Sequence, residues 1–182
     1  MDEYLEAMTP HVIRHGGVIL KYIGDGIMVA FGVPLARQTD DAIRQDAVHA
    51  VQCAVAMARE LTALNRRWQA QQLPMIGMRI GIHTGPVIAG STGGTERLEY
   101  NVHGDTVNIA SRLETFDKHV FLPDLLHDPC RILIGEATQH YLNHEFLTQS
   151  IGTVRLKGKE QGVSVYRIID LKDDQEAITY HP

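Results

Sequence analysis

The sequence predicts an α/β fold of the α+β type, with a mixed, mainly antiparallel sheet that carries its helices on one face. Two β-prone apolar runs flank a Gly-Asp-Gly turn, one long segment has apolar residues at helical spacing, and short alternating segments follow it. Together these features predict the order β-β-long α-β-β-α-β-α-β-β behind an N-terminal amphipathic helix.

The N-terminal helix is predicted to run to about His15 and to bury the face that carries Tyr4, Leu5 and Met8. After a Gly-Gly break, the runs 18–23 and 27–31 predict a hairpin with Asp25 at its tip. A carboxylate at this tip either hydrogen-bonds its own turn or reaches a metal ion. Lys21 is unusual in an apolar strand, and it either extends to the sheet edge or donates to a ligand.

The longest predicted helix covers 40–71, because small and apolar residues repeat every three or four positions along it. The segment 91–95 is glycine-rich but lacks the lysine and the following helix of a phosphate-binding loop, so we expect a flexible turn there. Strands are predicted at 75–83, 87–89, 97–102, 130–134, 147–154 and 163–169, and a short helix at 135–142.

The segment 103–112 predicts a helix that begins near Gly104-Asp105, where a glycine and a carboxylate are suited to a helix start. Asn108 and Arg112 lie four positions apart and therefore share one face of this helix. An amide beside a permanently charged guanidinium suits a sugar and a phosphate. The alternative is a solvent-facing helix in which Arg112 pairs with Glu114 or with another carboxylate.

Between Phe116 and Pro129 the sequence is irregular and contains Asp117, Asp124 and Asp128. These carboxylates have no convergent spacing, which favours a surface insertion over a cation site.

The composition fits one globular domain, with 182 residues, 44% of them hydrophobic and 21% charged. A net charge of −5 without a basic stripe argues against nucleic acid as a partner. Cys53 and Cys130 stand alone, as packed thiols of a reducing compartment do. No apolar run spans a membrane and no signal peptide opens the chain, so we expect a cytoplasmic domain.

Four segments resemble, in order, motifs of the class III nucleotidyl cyclases, the adenylate and guanylate cyclases, and most closely the bacterial adenylate-cyclase-like members. They are KYIGDGIM (21–28), RIGIHTGPV (79–87), GDTVNIASR (104–112) and VRLKGK (154–159). The resemblance runs from about Tyr4 to Leu171. It implies a ferredoxin-like, palm-like catalytic domain over 1–170, followed at 171–182 by a polar tail with the composition of a disordered segment.

The resemblance implies that a ribose 3′ oxygen attacks the α-phosphorus of a nucleoside triphosphate, with Mg2+ or Mn2+ as cofactor, two ions per site. By position, Asp25 matches one of two metal-bridging aspartates, Asn108 the residue that orients the ribose, and Arg112 the transition-state cation. Either Lys157 or Lys159 matches the lysine on the outer phosphates.

Lys21 matches the base-reading lysine of the family. Since a lysine only donates, it complements the accepting ring nitrogen of adenine and opposes the ring N–H of guanine, which favours ATP over GTP. Asn101 stands where adenylate cyclases of this family usually carry Asp or Thr. Its amide can accept from adenine or donate to guanine, so we expect softer discrimination.

The resemblance also implies a head-to-tail homodimer with shared sites, in which Asp25 and Lys21 lie on opposite sides. The family's first strand and first metal-binding aspartate have no counterpart upstream of Asp25. The expectation is therefore an adenylate cyclase domain, N-terminally incomplete as given, or a non-catalytic nucleotide-binding or dimerisation module derived from one. Sensor or membrane-spanning segments are common upstream of this domain in the family.

Overall fold

The computed structural model describes residues 2–94, 97–117, 119, 121–142, 145–154 and 162–172. Each predicted element is present, and all but the strand predicted at 87–89, which extends to Gly94, lie within a few residues of their expected bounds. In chain order the elements are α1 (Asp2–Arg14), β1 (Val18–Ile23), β2 (Gly26–Ala30), α2 (Asp40–Ala70), β3 (Met78–Ile82), β4 (Ile88–Gly94), β5 (Arg97–His103), α3 (Asp105–Thr115), β6 (Cys130–Gly135), α4 (Glu136–Tyr141), β7 (Phe146–Val154) and β8 (Val163–Leu171).

A four-stranded mixed sheet in the order β3-β6-β8-β7 organises the described part of the chain. β3 and β6 are parallel, with Arg79 opposite Arg131 and Gly81 opposite Leu133. β8 is antiparallel to both of its neighbours. β1–β2 and β4–β5 form separate antiparallel hairpins. The mixed, mainly antiparallel architecture predicted from the sequence is confirmed.

The long helix α2 is capped at its N-terminus by Thr39, whose hydroxyl accepts a hydrogen bond from the backbone N–H of Ala42 at 3.3 Å. Two aspartates in the first turn complement the partial positive charge at this end. The predicted apolar stripe is buried along most of its length, at Ala47, Val51, Ala54, Val55 and Leu61. Burial of this stripe, rather than intrinsic helix propensity alone, stabilises so long a helix.

Alternate residues of β6 pack on opposite faces of the sheet. Ile132 and Ile134 join the core cluster with α1 and α2, whereas Leu133 joins Ile109 and Leu113 of α3 in a second cluster. Helices therefore cover both faces, not the single face that the sequence predicts. The physical reason is that all six residues of β6 are buried, so the strand needs cover on each side.

A fully buried amide connects α2 to two loops. The Asn65 Nδ2 donates to the carbonyl oxygens of Ile76 at 2.8 Å and Leu125 at 2.7 Å, and its Oδ1 accepts from the Ile76 N–H at 3.1 Å. These bonds satisfy backbone groups that would otherwise be buried without partners. They also anchor the segment 116–129 to the core.

Two of the carboxylates in that segment bond to other groups of the chain. Asp124 accepts from the backbone N–H groups of Leu126 and His127, and Asp128 pairs with Arg167. Among the described residues no group of three or more His, Cys, Asp and Glu side chains could hold a metal ion. The surface-insertion interpretation agrees with these contacts.

The glycine-rich segment departs from the prediction. Ser91 to Gly94 belong to β4 and pair with β5, where a flexible turn was expected. Strand pairing satisfies backbone groups whatever the side chains are, so a run poor in β-formers is ordered by its partner. Residues 155–161 and 173–182, with Lys157, Lys159 and nearly all of the polar tail, lie outside the described residues.

None of the helices in the described ranges combines the length and apolar composition needed to cross a bilayer.

Candidate functional site

Asp25 lies at the exposed tip of the β1–β2 hairpin. Ile23 pairs with Gly26, so the loop contains only Gly24 and Asp25, and Gly24 takes a φ of 62° that a turn of this kind demands of its first residue. The Asp25 carboxylate makes no hydrogen bond or ion pair with the described residues. The alternative in which it bonds its own turn is therefore not what the structure shows.

Lys21 is directed by an irregularity in β1. The strand register shifts between Ile19 and Lys21, which is a β-bulge, and such a bulge re-aims the side chain next to it. The Lys21 Nζ lies 3.5 Å from the Oδ1 of Asn101, eighty residues later in the chain, and donates to it. The structure thus brings together the two residues that the sequence assigns to base recognition.

Open space adjoins this pair. Asn101 on β5 faces Gly90 on β4 in the strand register. A Cβ placed on Gly90 would meet no heavy atom within 4 Å. Since directly opposite residues of an antiparallel pair share a face, the position opposite Asn101 on that face is open.

The helix α3 carries Asn108 and Arg112. Gly104 is its N-cap residue at φ 138°, and no side chain caps it. Asp105 lies in the first helical turn and not at the capping position that the sequence suggests. A carboxylate in the first turn stabilises the helix by interacting with the positive end of the helix dipole. The N-terminal end is held by Thr106, whose hydroxyl donates to the carbonyl oxygen of Pro86 at 2.7 Å.

α3 sits directly on β3. A Cβ on Gly81 would come within 2.2 Å of the Ala110 carbonyl oxygen and 2.4 Å of the Glu114 backbone nitrogen. Only glycine allows the helix and strand backbones to approach this closely. Ile109 and Leu113 point into the core from the same helix, so the depth of α3 on the sheet is fixed by sterics as well as by apolar contact.

Asn108 is exposed and Arg112 is half-buried, and both belong to the face of α3 that the sequence predicts. Neither side chain has a hydrogen-bond or ion-pair partner among the described residues. Glu114 instead pairs with Arg79 on β3, with both Nε and Nη2 about 3.0 Å from its Oε1. The alternative in which Arg112 pairs with Glu114 is therefore wrong.

Arg131 is a residue that sequence reasoning missed. It lies on β6, is only 7% exposed, and donates through Nη2 to the carbonyl oxygens of Glu114, at 3.2 Å, and of Phe116. The sequence does contain a signal for this residue, because a buried strand that reads Cys-Arg-Ile-Leu-Ile has one charged residue that needs a partner. The partner, the C-terminal end of α3, is visible only in three dimensions.

A two-metal site is not complete in one chain as described. Asp25 is a single carboxylate, and no bond among the described residues joins it to α3. Magnesium retains its water unless several oxygens surround it. The described residues of one copy therefore do not fit the two metal ions that the resemblance implies.

An apolar groove of about 580 Å³ lies apart from these residues, between α1 and β1. Its lining includes Leu5, Pro10, Ile13 and Tyr22. It contains none of the predicted site residues.

Comparison with known proteins places these features in context. A family profile described as the adenylate and guanylate cyclase catalytic domain matches residues 3–170. Adenylate cyclase 1 of Rhizobium meliloti is 31% identical over 93% of this chain, and guanylate cyclase 2G of Mus musculus is 35% identical over 85%. The chain spans only 23% and 13% of the lengths of these two relatives.

The structural comparison agrees with the sequence comparison. The crystal structure of the adenylyl cyclase CyaB from P. aeruginosa superposes with a TM-score of 0.81 at 30% identity. The match covers 95% of this chain and 82% of the CyaB chain. The fold of the chain is therefore similar to a cyclase catalytic domain over nearly its whole length.

Proposed function

Because this chain belongs to the family of adenylate and guanylate cyclase catalytic domains, we propose that it converts ATP to 3′,5′-cyclic AMP and pyrophosphate. The observation that supports ATP most directly is the 3.5 Å contact between Lys21 Nζ and Asn101 Oδ1, next to the open space at Gly90. Both adenylate and guanylate cyclases are similar to this chain, so the choice of base rests on the chemistry of these two side chains.

Lys21 selects for adenine because its ammonium can only donate. The ring nitrogen at the adenine edge accepts a hydrogen bond, whereas the equivalent position of guanine carries a hydrogen and would oppose a donor. Asn101 contributes less, because an amide group can accept or donate. We therefore expect ATP to be preferred with GTP as a weaker substrate.

Asn108 and Arg112 act on the sugar and the α-phosphate. In the proposed step the ribose 3′ oxygen loses its proton to solvent water and forms a bond to the α-phosphorus. The bond from that phosphorus to the oxygen shared with the β-phosphate breaks, and pyrophosphate leaves with the electron pair. Asn108 orients the ribose by hydrogen bonding, and Arg112 binds the charge that builds on the phosphoryl oxygens. A planar, always-charged guanidinium can contact two such oxygens at once. Lys157 or Lys159 would bind the outer phosphates.

The active form is proposed to be a head-to-tail homodimer in which Asp25 serves the site of the partner. Large apolar side chains are exposed on both hairpins that carry site residues, with Tyr22 50%, Ile23 61% and Ile88 76% exposed. Exposed apolar groups of this size favour burial against a second surface. In such a dimer each site combines Lys21, Asn101 and α3 of one chain with the hairpin tip of the other.

Mg2+ or Mn2+ is the proposed cofactor; Asp25 would supply one ligand, and the further oxygen ligands would have to come from outside the described residues of one copy. The absence of any further acidic cluster among the described residues favours a second candidate function, that of a nucleotide-binding or dimerisation module without turnover. The two functions differ in one measurable property, which is the formation of cyclic nucleotide.

The test is direct. The 182-residue chain, and a version of it extended at the N-terminus, are incubated with ATP or GTP and either Mg2+ or Mn2+, and products are separated by chromatography. We expect cyclic AMP to exceed cyclic GMP, with loss of product in Arg112→Ala but not in the control Arg66→Ala, which removes an exposed arginine of α2. Nucleotide binding without any cyclic product in either form would exclude the enzyme and leave the binding module.

The shared site has its own test. Asp25→Ala and Arg112→Ala chains are assayed separately and then mixed. One of the two sites in a mixed dimer retains both residues, so turnover should return toward about one quarter of the wild-type value for random pairing. Absence of recovery would count against sites shared between two copies.

A further inference from the structure

The C-terminal end of α3 carries an unusual concentration of arginine contacts. α3 ends at Thr115, three residues after Arg112, and the last carbonyl groups of any helix lack partners within the helix. Here the Thr115 hydroxyl donates to the carbonyl oxygen of Ser111 at 3.0 Å, and Arg131 donates to those of Glu114 and Phe116. A buried guanidinium thus closes the end of the helix.

Arg131 is held in place from its other side as well. Its guanidinium carbon lies 5.1 Å from the centre of the Phe121 ring, in a cation–π contact. A side chain packed between an aromatic ring and two carbonyl groups has little freedom to move. The end of α3 is consequently attached to β6 through a rigid connection.

A second arginine attaches the same end of α3 to β3. Arg79 and Arg131 are direct neighbours across the parallel β3–β6 pair, and Arg79 pairs with the Glu114 carboxylate. Burial lowers the pKa of Arg131, and the adjacent Arg79 charge lowers it further. Two like charges side by side are unfavourable unless negative charge lies between them. The Glu114 carboxylate and the helix C-terminus supply that charge.

From these contacts we propose that Arg131, together with the Arg79–Glu114 pair, is a positioning residue that orients Arg112 toward the α-phosphate. This inference rests on the proposed cyclase reaction, in which Arg112 contacts the phosphoryl group. Arg131 itself contacts no substrate. It acts through the backbone of α3. Because Arg131 holds the helix at Glu114, the helix cannot rotate or shift along its axis, and Arg112, two residues before Glu114, keeps its position.

Protection of the helix end gives a readout that does not depend on activity. Hydrogen exchange of the backbone amides in the last turn of α3 is compared in wild type, Arg131→Met and Arg167→Met. Arg167 is a matched control, since it is an arginine of the same sheet that pairs with Asp128 and not with α3. We expect exchange in residues 112–117 to rise only in Arg131→Met. Unchanged exchange in that variant would overturn the proposal and leave the cyclase reaction untouched.

Kinetics separate positioning from general stability. At a temperature where every variant is folded, Arg131→Met should lower kcat by about 10- to 100-fold with a KM for ATP within about twofold of wild type. Arg131→Lys should recover part of kcat, because one donor and the charge remain. Arg167→Met should keep its kcat. Equal kcat in Arg131→Met and wild type, or equal losses in Arg131→Met and Arg167→Met, would refute the positioning role. If Arg131→Met does not fold, Arg131→Lys is judged by the same criteria.

Subunit mixing provides the sharpest discrimination. If Arg131 acts through Arg112 of its own chain, Arg131→Met mixed with Asp25→Ala should recover turnover, whereas Arg131→Met mixed with Arg112→Ala should not. A merely unstable chain would not show this asymmetry, and recovery in both mixtures or in neither would refute the proposal. Should the reference pair Asp25→Ala and Arg112→Ala itself fail to recover, the shared site is wrong, and hydrogen exchange alone decides the role of Arg131.

Discussion

Replacing Gly81 by alanine should displace α3 and reduce turnover more than it reduces stability. The new Cβ would lie 2.2 Å from the Ala110 carbonyl oxygen, whereas ordinary contacts begin near 3.4 Å. The neighbouring atoms are helix backbone and cannot swing aside as a side chain would, so α3 must retreat by about 1 Å. Asn108 and Arg112 would move with it.

The magnitudes follow from this displacement. Overpacking of this kind costs about 1–3 kcal/mol of unfolding free energy. A misplacement of about 1 Å at a reacting centre costs about 100-fold in kcat. The two measurements are urea unfolding and steady-state cyclic nucleotide formation on the same preparation.

Gly77→Ala is the control. Its Cβ would approach to 2.5 Å of the Pro123 ring, a side chain of the segment 116–129, and not the backbone of α3. We expect a loss of stability in this variant with kcat close to wild type. A folded Gly81→Ala protein with unchanged kcat would refute the reasoning, since α3 would then tolerate displacement or would not carry the reacting groups.

Lys21→Glu should invert the base preference, because a carboxylate accepts from the guanine ring N–H and repels the accepting nitrogen of adenine; the ratio of kcat/KM for ATP to that for GTP should fall by at least about tenfold in a side-by-side assay. Gly90→Val should raise the KM for nucleotide without lowering the thermal midpoint, because the added side chain enters open space beside Asn101; an unchanged KM would exclude that space as part of the site. Asn65→Ala should lower the unfolding free energy by about 3 kcal/mol in urea, since two carbonyl groups and one N–H lose their partner; a loss below about 1 kcal/mol would contradict this. Burial lowers the pKa of His11 below its ordinary value of 6.5, so His11 binds a proton more readily in the unfolded chain than in the folded one, and the unfolding free energy should fall as the pH drops through 6.5. The change in unfolding free energy between about pH 7.5 and about pH 5 should be smaller in His11→Gln.

Local patterns are sufficient to predict most elements of this fold. The stripe that includes Ala47, Val51 and Leu61 predicts α2 nearly to its ends, because a helix repeats its buried face every three or four residues. The apolar runs around Gly24 and Asp25 predict the first hairpin for an equally local reason. Both elements are determined by residues that lie close together in the sequence, so they can be predicted without the structure.

Two features were not predicted. Ser91–Gly94 contains two glycines, which are depleted in strands, and pairing with the adjacent strand β5 orders this run. Likewise, the burial of β6 on both faces follows from where α3 packs, so apolar periodicity could not reveal that helices cover both sides.

The candidate site divides in the same way. Motif resemblance assigns candidate roles to Lys21, Asn101, Asn108 and Arg112, because these residues stand at recognisable positions along the chain. It does not identify Arg131, whose partners are backbone carbonyl groups that any sequence would provide. Resemblance also could not show that Glu114 forms an ion pair with Arg79. Because of this pair, Glu114 does not bind Arg112, and Arg112 is available for a ligand.

The contact between Lys21 and Asn101 has a consequence for substrate selection. A bond of 3.5 Å between exposed groups is weak, so under the proposed function a nucleotide base would displace it at little cost. Lys21 would then turn its donor to the ring nitrogen, while the Asn101 amide would accept from or donate to the exocyclic group. Discrimination would depend mainly on Lys21. An Asn101→Asp chain, whose carboxylate accepts from the adenine amine and cannot donate to the guanine oxygen, should therefore use ATP over GTP more strictly than wild type. Equal selectivity in the two chains would show that the residue at position 101 does not contact the base.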